Sequence, residues 1–588
     1  MGFCIVYGKN CDEIKGFEKK GNIYYKVELK KTPAPLTYDI NNGILKIAIG
    51  DIFSDDICNL LNSKWELQPK TLLNVLGEFC LVKIDSEGNI YFASSQAGIE
   101  NLYYYKKNDI FILTDNFWEA INIIEPDYED INKQGLYESL TYFYPLEYET
   151  EIKGLKWLPP STIACWNEQT KEITLKKYWD FKYCVNDSIS AEEAVDNLDN
   201  KLDDAMKLIK KKCGDVEYAV GLSGGLDSRI IPYYALKNDM KLKAFIISKK
   251  YPKSFLISRD YKSARKIAKY FKLDLVELST DLDSMKEQIE NDIRTYPLGP
   301  SAVGKQANKG LPTFDVLLTG GNGLVVGSTL PVNINSQNTQ ELFDTITDLS
   351  YYAKKAVFFK NRAARALKYL FNISVSNGQN KELENKIVPE KSIKEMNRKW
   401  EKYIVSKKEQ GFSNLDIYED YFNNYLGFRN RMGAFESICG TKRAFSIYVP
   451  FVFNETLSWK EEFLQDRLLL KMLINKVMPA IANTKGQSYD LSNVNKRQSI
   501  FKKVFAMFDY IMRGTGTGII GGYRSNKDLK KIIVDVINSD TKWFFDIISK
   551  EEYIKALKFP DDRLVRIFIK KKMLIDVIER KEYKKYIN

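Results

Sequence analysis

Histidine is absent from all 588 residues of this sequence. The absence excludes Ser-His-Asp and Cys-His catalysis, zinc sites with histidine ligands and imidazole acid–base chemistry. Any catalysis by this chain must therefore use carboxylates, lysine, tyrosine, cysteine or backbone dipoles.

Paired cysteine motifs and long apolar runs are also missing. The eight cysteines are scattered and form no CxxC pair, which predicts reduced thiols. They are Cys4, Cys11, Cys58, Cys80, Cys165, Cys184, Cys213 and Cys439. No signal-like segment opens the chain, and no uninterrupted apolar run approaches the ~20 residues that cross a bilayer. We expect a cytoplasmic protein without a membrane partner.

The charge balance is basic but dispersed. Lys and Arg number 88 against 77 Asp and Glu, a formal net charge of +11. Because the lysines are spread among Ile, Asn and Tyr, a solvated basic surface is favoured over a specific anionic partner such as ATP or an acidic peptide. No dense basic block is present, so no nucleic acid is expected.

The length and the first third of the chain indicate more than one domain, since 588 residues exceed what one hydrophobic core usually holds. Residues 1–185 contain short alternating or apolar runs separated by Gly, Asn and Asp. These runs are GILKIAIGDI, GEFCLVKID, NIYFASS, NLYYYKK and DIFILTD. They predict a sheet-rich domain.

The pattern of apolar residues changes near residue 186, where we place a domain boundary. The segment SAEEAVDNLDNKLDDAMKLIKKK has apolar residues at helical spacing, with acidic residues early and lysines late. Strands and helices then alternate through VEYAVGL, KLKAFIIS, DYKSARKIAKYF, LDLVELS and FDVLLTG. This alternation of strands and helices predicts a doubly wound parallel sheet within a second domain, 186–588. A helical region follows, with a charged helical insertion at about 338–415.

The segment GLSGGLDS, residues 221–228, lies between a predicted strand and a predicted helix. Gly224 and Gly225 allow a tight turn and a close approach of backbone amides to an anion. Ser223 and Ser228 can donate hydroxyl hydrogen bonds to the same anion. A carboxylate beside phosphates needs a cation between them, so Asp227 implies Mg²⁺. The pattern lacks the lysine of a Walker loop, and the competing interpretation is a turn that only caps its helix.

LSGGLDS resembles the PP-loop of ATP pyrophosphatases, and the surrounding chain resembles the asparagine synthetase family, which includes β-lactam synthetases and lasso peptide cyclases. ISRDYKSARKIAKYF, FDVLLTGGNG, YVPFV and MPAIANTKGQS are similar to later segments of that family. LLNVLGEFCLVKID and ASSQAGIENLYYYK are similar to its class II glutamine amidotransferase domain. The resemblance implies an α+β and α/β protein. Its N-terminal domain would be an Ntn-type β-rich sandwich, and its C-terminal domain a doubly wound sheet carrying the PP-loop.

The resemblance also implies an activity and a set of site residues. Such proteins adenylate a carboxylate with ATP, release pyrophosphate and let an amine form an amide. The implied partners are thus ATP, Mg²⁺, a small-molecule or peptide carboxylate and an amine acceptor, with a homodimer as one oligomeric state. Lys485 would neutralise charge in the transition state. The implied ATP-binding residues are Leu222, Ser223, Gly224, Gly225, Asp227, Ser228, Ile247 and Gly320, with Asp227 also holding the metal.

Departures from the family pattern keep several functions open. The family's acidic pair falls on Leu324 and Val325, its RxPFLD arginine falls on Tyr448, and Asp260 is the nearest substitute carboxylate in the motif order. Cys4 would need three residues removed to become an N-terminal nucleophile, so glutaminase activity is not expected. The main hypothesis is a ligase that uses an amine other than glutamine-derived ammonia. The alternatives are a nucleotide-binding homologue without turnover and a conventional glutamine-dependent asparagine synthetase.

Overall fold

The computed structural model describes residues 2–12, 16–28, 36–41, 44–53, 57–142, 144–248, 259–279, 290, 293–294, 313–321, 323–327, 334–350, 388–421, 443–484, 534, 538, 540–557 and 562–587. Lys485 lies outside this set, as do the side chains of Ile247, Asp260 and Leu324. None of the described helices combines the length and apolar composition needed to cross a bilayer.

The strands are β1 (Phe3–Tyr7), β2 (Glu18–Lys20), β3 (Ile23–Val27), β4 (Leu36–Asn41), β5 (Ile44–Ile52), β6 (Gly77–Ile84), β7 (Ile90–Ser94), β8 (Tyr103–Lys107), β9 (Ile110–Thr114), β10 (Leu155–Trp157), β11 (Thr162–Trp166), β12 (Ile173–Lys177), β13 (Glu217–Gly221), β14 (Lys241–Ser248), β15 (Leu275–Ser279), β16 (Val316–Thr319) and β17 (Arg443–Ser446).

The helices are α1 (Ile57–Asn62), α2 (Phe117–Ile124), α3 (Lys133–Tyr142), α4 (Ala191–Cys213), α5 (Leu226–Lys237), α6 (Arg259–Tyr270), α7 (Thr339–Ser350), α8 (Glu390–Glu409), α9 (Asn414–Glu419), α10 (Phe453–Thr456), α11 (Glu461–Leu464), α12 (Leu468–Val477), α13 (Pro479–Ala482), α14 (Trp543–Ile547), α15 (Lys550–Leu557) and α16 (Asp562–Glu579). A 3₁₀ turn covers Glu582–Tyr586.

Two antiparallel sheets form a sandwich in the first part of the chain. Sheet A has the order β10-β8-β9-β1-β3-β2, and sheet B has the order β12-β11-β7-β6-β5-β4. Alternate residues of β1 show how the layers are filled: Phe3 and Ile5 point between the sheets, whereas Cys4 and Val6 point to the outer face of sheet A. Helices α2 and α3 cover that outer face, and α1 covers the outer face of sheet B. The predicted β-rich sandwich is confirmed.

The predicted helix after the sandwich is also confirmed, as α4. Its N-terminal amide groups are capped by Ser190, whose hydroxyl accepts from the Glu193 amide at 3.1 Å. Lysines occupy the last turn, where the helix dipole favours positive charge. Gly214 follows with φ +81, a backbone conformation that suits glycine at a helix end.

The remaining strands form a parallel sheet of order β15-β14-β13-β16-β17. Every strand predicted by the alternation after residue 186 is present in it. Strand β13 lies at the centre with β14 and β16 as its parallel neighbours. The whole chain is therefore a mixed α+β protein with two antiparallel sheets and one parallel sheet.

Helices α2 and α3, on the outer face of sheet A, pack against the C-terminal helices within one continuous apolar core. The indole of Trp118, on α2, stacks on Tyr586 with ring centroids 4.9 Å apart. Within this interface Lys571 pairs with Glu151, and both side chains are fully buried. Glu151 also accepts from the Ser139 hydroxyl at 2.6 Å. Burial lowers the pKa of Lys571, while the carboxylate of Glu151 opposes that change.

Because one charge would remain buried without its partner, we expect Lys571→Met to lower the free energy of unfolding by about 3–5 kcal/mol. Lys585→Met is the matched control, since Lys585 and Glu582 form an exposed pair worth less than about 1 kcal/mol. The double variant Lys571→Met/Glu151→Gln should recover part of the loss. Urea unfolding followed by tryptophan fluorescence measures all three, and equal effects of Lys571→Met and Lys585→Met would contradict the expectation.

Candidate functional site

The strand order of the parallel sheet reverses between β13 and β16. Strands β14 and β15 lie on one side of β13, and β16 and β17 lie on the other. Open α/β sheets bind ligands at the carboxyl edge beside such a reversal of strand order. Residues 222–225 follow β13, and residues 320–321 follow β16. The structure thus brings the two glycine-containing segments that the sequence predicted to the same edge of the sheet, beside this reversal.

The turn after β13 is organised by its two serines. The Ser223 and Ser228 hydroxyl oxygens are 2.8 Å apart, and Ser228 Oγ accepts from the Ser223 amide at 3.0 Å. Ser223 Oγ accepts from the Gly225 amide at 3.0 Å. Gly225 has φ −70, which any residue can adopt. Glycine is favoured at position 225 because space is short there: an added Cβ would lie 3.1 Å from Ser223 Oγ.

Gly320 packs directly on the turn. A Cβ at this position would lie 2.2 Å from the Cβ of Asp227, a distance that no side chain can accept. Leu222 is in the apolar core, and its amide donates to the Phe245 carbonyl at 2.8 Å. The backbone of Ile247 pairs with Leu278 in the sheet. Gly320 and the turn are therefore in contact, whereas Leu222 mainly anchors the strand end.

Asp227 lies in the first turn of α5 and forms a bidentate ion pair with Arg467. Arg467 Nη1 donates to Asp227 Oδ2 at 2.7 Å, and Nη2 donates to Oδ1. Burial opposes the charge of the guanidinium, but the Asp227 carboxylate outweighs it, so the pKa of Arg467 is raised. Tyr448 is fully buried beside the pair, and burial, with the Asp227 charge, holds the pKa of its phenol well above the ordinary value.

Arg229, next to Ser228, fixes the turn to the segment before residue 485. Its Nη2 donates to the Gly224 carbonyl at 2.9 Å and to the Thr484 carbonyl at 2.6 Å. Its Nη1 donates to the carbonyls of Ile481 and Ala482 at the end of α13. Burial lowers the pKa of this guanidinium, which is only 1% exposed. Thr484, the residue before Lys485, therefore reaches the turn.

The residues present do not fit the metal site that the resemblance implies. Both carboxylate oxygens of Asp227 already accept from Arg467. Val325, at one of the two positions where the family has acidic residues, is buried in the apolar core. Within the described ranges, no group of three acidic, cysteine or histidine side chains is close enough to hold a metal ion.

Cys4 is fully buried on the face of sheet A that packs against α2. Burial raises the pKa of its thiol well above the ordinary value, and the charges of Glu119 and Cys11 add to that effect. Glu119 is itself buried, which raises the pKa of its carboxyl group. Since the thiolate is the nucleophilic form of cysteine, this environment opposes nucleophilic attack by Cys4.

Sequence reasoning missed both arginines of the site. Arg229 follows directly on the predicted turn, and its place beside the apolar residues of α5 is a signal that it is buried. Arg467 carries no such signal, because its flanking residues Asp466 and Leu468 belong to no motif of the turn. Its partner Asp227 is 240 residues away in the sequence.

Comparison with known proteins gives weak likenesses only. No protein-family model and no curated protein matches the chain. One solved structure, glutamine phosphoribosylpyrophosphate amidotransferase from B. subtilis complexed with ADP and GMP, has 12% identity and a TM-score of 0.19, and it covers 44% of this chain. This chain spans 62% of that enzyme's length. A second structure, the allosteric regulatory enzyme of purine biosynthesis, has 11% identity and a TM-score of 0.18. The match covers 49% of this chain and 70% of the chain of that enzyme. Values this low carry no argument about fold or function.

We expect the purified protein not to hydrolyse glutamine, because Cys4 is buried and its thiol is held in the neutral form. Iodoacetamide should modify the exposed Cys58 and Cys184 in the native protein at neutral pH and leave Cys4 unmodified. Mass spectrometry of peptides and a glutamate-release assay measure the two effects. Glutamate release that Cys4→Ser abolishes would contradict the expectation.

Proposed function

We propose that this chain is an asparagine synthetase-like, ATP-dependent ligase that adenylates a carboxylate and forms an amide bond, releasing AMP and pyrophosphate. The observation that supports it is the place of the turn Ser223–Ser228, at the reversal of strand order and at the N-terminus of α5. Helix N-termini favour anions through their free amide groups and dipole. The phosphates of ATP are therefore assigned to this turn, in contact with the loop that carries Gly320.

The contact between Arg229 and the Thr484 carbonyl supports a role for Lys485 at the same place. Lys485 is the next residue in the sequence after Thr484. A lysine there would stabilise the negative charge that develops as pyrophosphate leaves. This role, like the assignment of ATP, is part of the proposal.

The proposed reaction has two steps. An oxygen of the substrate carboxylate attacks the α-phosphorus of ATP, and pyrophosphate leaves with the electron pair of the broken bond. The amine then attacks the activated carbonyl carbon, AMP leaves, and the amine proton passes to a base. Without histidine in the chain, that base is a carboxylate, a lysine, a tyrosine or the leaving phosphate group.

The burial of Cys4 supports an amine other than ammonia from glutamine. A class II glutaminase needs an accessible thiolate, and the pKa of this thiol is raised by burial. The same observation counts against the conventional glutamine-dependent asparagine synthetase. The acceptor is accordingly an amine that reaches the site as a substrate or as part of the same molecule.

A second candidate function is nucleotide binding without turnover. The Asp227–Arg467 pair favours it, because the carboxylate that the family uses beside the phosphates is already neutralised. The apolar Val325 favours it as well. This binding function and the ligase share the same turn and differ in whether pyrophosphate is produced.

Carboxylate-dependent exchange of labelled pyrophosphate into ATP separates the two functions. The ligase predicts exchange with at least one acid of a panel of amino acids and small peptides, and hydroxylamine should then trap the activated acid as a hydroxamate. Release of ADP and phosphate instead would falsify the proposed reaction. ATP binding by calorimetry, without exchange for any acid, would favour the binding protein.

Gly320→Ala should weaken ATP binding about tenfold or more, because the new Cβ forces Asp227 and the turn to move. Gly214→Ala is the matched control. An added Cβ meets nothing within 4 Å there, and the strain at φ +81 affects stability alone. Calorimetry with ATP and thermal melts measure both variants. A Gly320→Ala protein that binds ATP as the wild type does would contradict the placement of the nucleotide.

A further inference from the structure

The Asp227 carboxylate forms a bidentate ion pair with Arg467. Each oxygen of Asp227 accepts from a different terminal nitrogen of the guanidinium. This bidentate geometry is the one in which arginine recognises carboxylates and phosphates most strongly. A magnesium ion requires oxygen ligands in near-ideal octahedral geometry, so it would compete with the guanidinium for the same oxygens.

The backbone at Asp466 and Arg467 has an unusual conformation. Asp466 and Arg467 have φ +53 and +59, the left-handed region that non-glycine residues seldom adopt. Two consecutive residues in this region bring the Arg467 side chain towards α5, and α12 begins at the next residue, Leu468. Strained backbone of this kind persists where the surrounding structure determines it, and it is concentrated at functional sites.

The pair is partly exposed to solvent, and Tyr448 lies beside it. The side chains of Arg467 and Asp227 are 18% and 26% exposed. Tyr448, at the position where the family motif has arginine, is fully buried beside them. Val325 contributes an apolar side chain to the core. In the described part of the chain, no set of three acidic or thiol groups surrounds the carboxylate.

We propose that Arg467 supplies the positive charge at the Asp227 carboxylate and that this carboxylate is not a metal ligand in the protein. The part of the proposal that concerns nucleotide rests on the proposed function, since it takes the turn 223–228 as the phosphate site. There the guanidinium is a fixed cation beside the phosphates. Nucleotide binding then depends on Arg467 and not on Mg²⁺ held by Asp227.

A Mn²⁺ titration followed by electron paramagnetic resonance tests the metal directly, without nucleotide. Wild type and Asp227→Asn should bind Mn²⁺ equally, whether weakly at surface carboxylates or not at all. Binding that wild type shows and Asp227→Asn lacks would overturn the proposal. Circular dichroism of the two proteins confirms that both are folded.

Calorimetry with ATP tests the role of the guanidinium. EDTA in place of Mg²⁺ should change the wild-type affinity by less than about threefold, whereas Arg467→Gln should weaken it about tenfold or more in both buffers. Arg467→Lys, which keeps the charge, should recover part of the affinity. Arg398→Gln is the matched control, because Arg398 forms an exposed bidentate pair with Glu395 on α8.

The outcomes separate this proposal from the proposed function. A wild-type affinity that falls about tenfold or more in EDTA, or that Arg467→Gln leaves unchanged, overturns the role of Arg467 while nucleotide binding stands. Absence of ATP binding in both buffers overturns the proposed function and the nucleotide role of Arg467 with it. The Mn²⁺ titration still decides in that case whether Asp227 is a metal ligand.

Discussion

The guanidinium of Arg229 determines the geometry of the candidate site. Four backbone carbonyls, of Gly224, Ile481, Ala482 and Thr484, accept from its two terminal nitrogens. These contacts restrain the buried guanidinium, because each lost contact would leave a polar group without compensation. The turn after β13 and the segment that precedes residue 485 are thus held in one arrangement.

The sequence predicted the strands and the turn because their signals are local. Alternation in segments such as GEFCLVKID and the adjacent glycines Gly224 and Gly225 of GLSGGLDS depend on neighbours within a few residues. The contacts that define the electrostatics of the site are not local. Arg467 meets Asp227 across 240 residues, and no pattern near either residue contains that information. The sequence did predict that the acidic pair was missing, and the structure adds the guanidinium found beside Asp227.

The two parts of the chain differ in the same way from what the resemblance implies. In the sandwich, the cysteine of β1 lies in an apolar layer where a thiolate is disfavoured. In the parallel sheet, the carboxylate of the turn is paired with a guanidinium. At both places the side chain that the resemblance makes reactive or metal-binding is held by packing or by an ion pair. The buried thiol supports the proposed amine acceptor other than ammonia from glutamine, whereas the ion pair favours the second candidate, nucleotide binding without turnover.

The packing on the outer face of sheet A, the face that carries Cys4, also affects how the sandwich would behave as a fragment. This face shares one apolar core with the C-terminal helices, and the stack of Trp118 on Tyr586 and the buried pair of Glu151 and Lys571 cross the same boundary. A fragment that ended near residue 185 would expose the apolar surface of α2 and α3 that the C-terminal helices cover, and an exposed apolar patch favours aggregation. The sandwich and the C-terminal helices therefore bury apolar surface against each other.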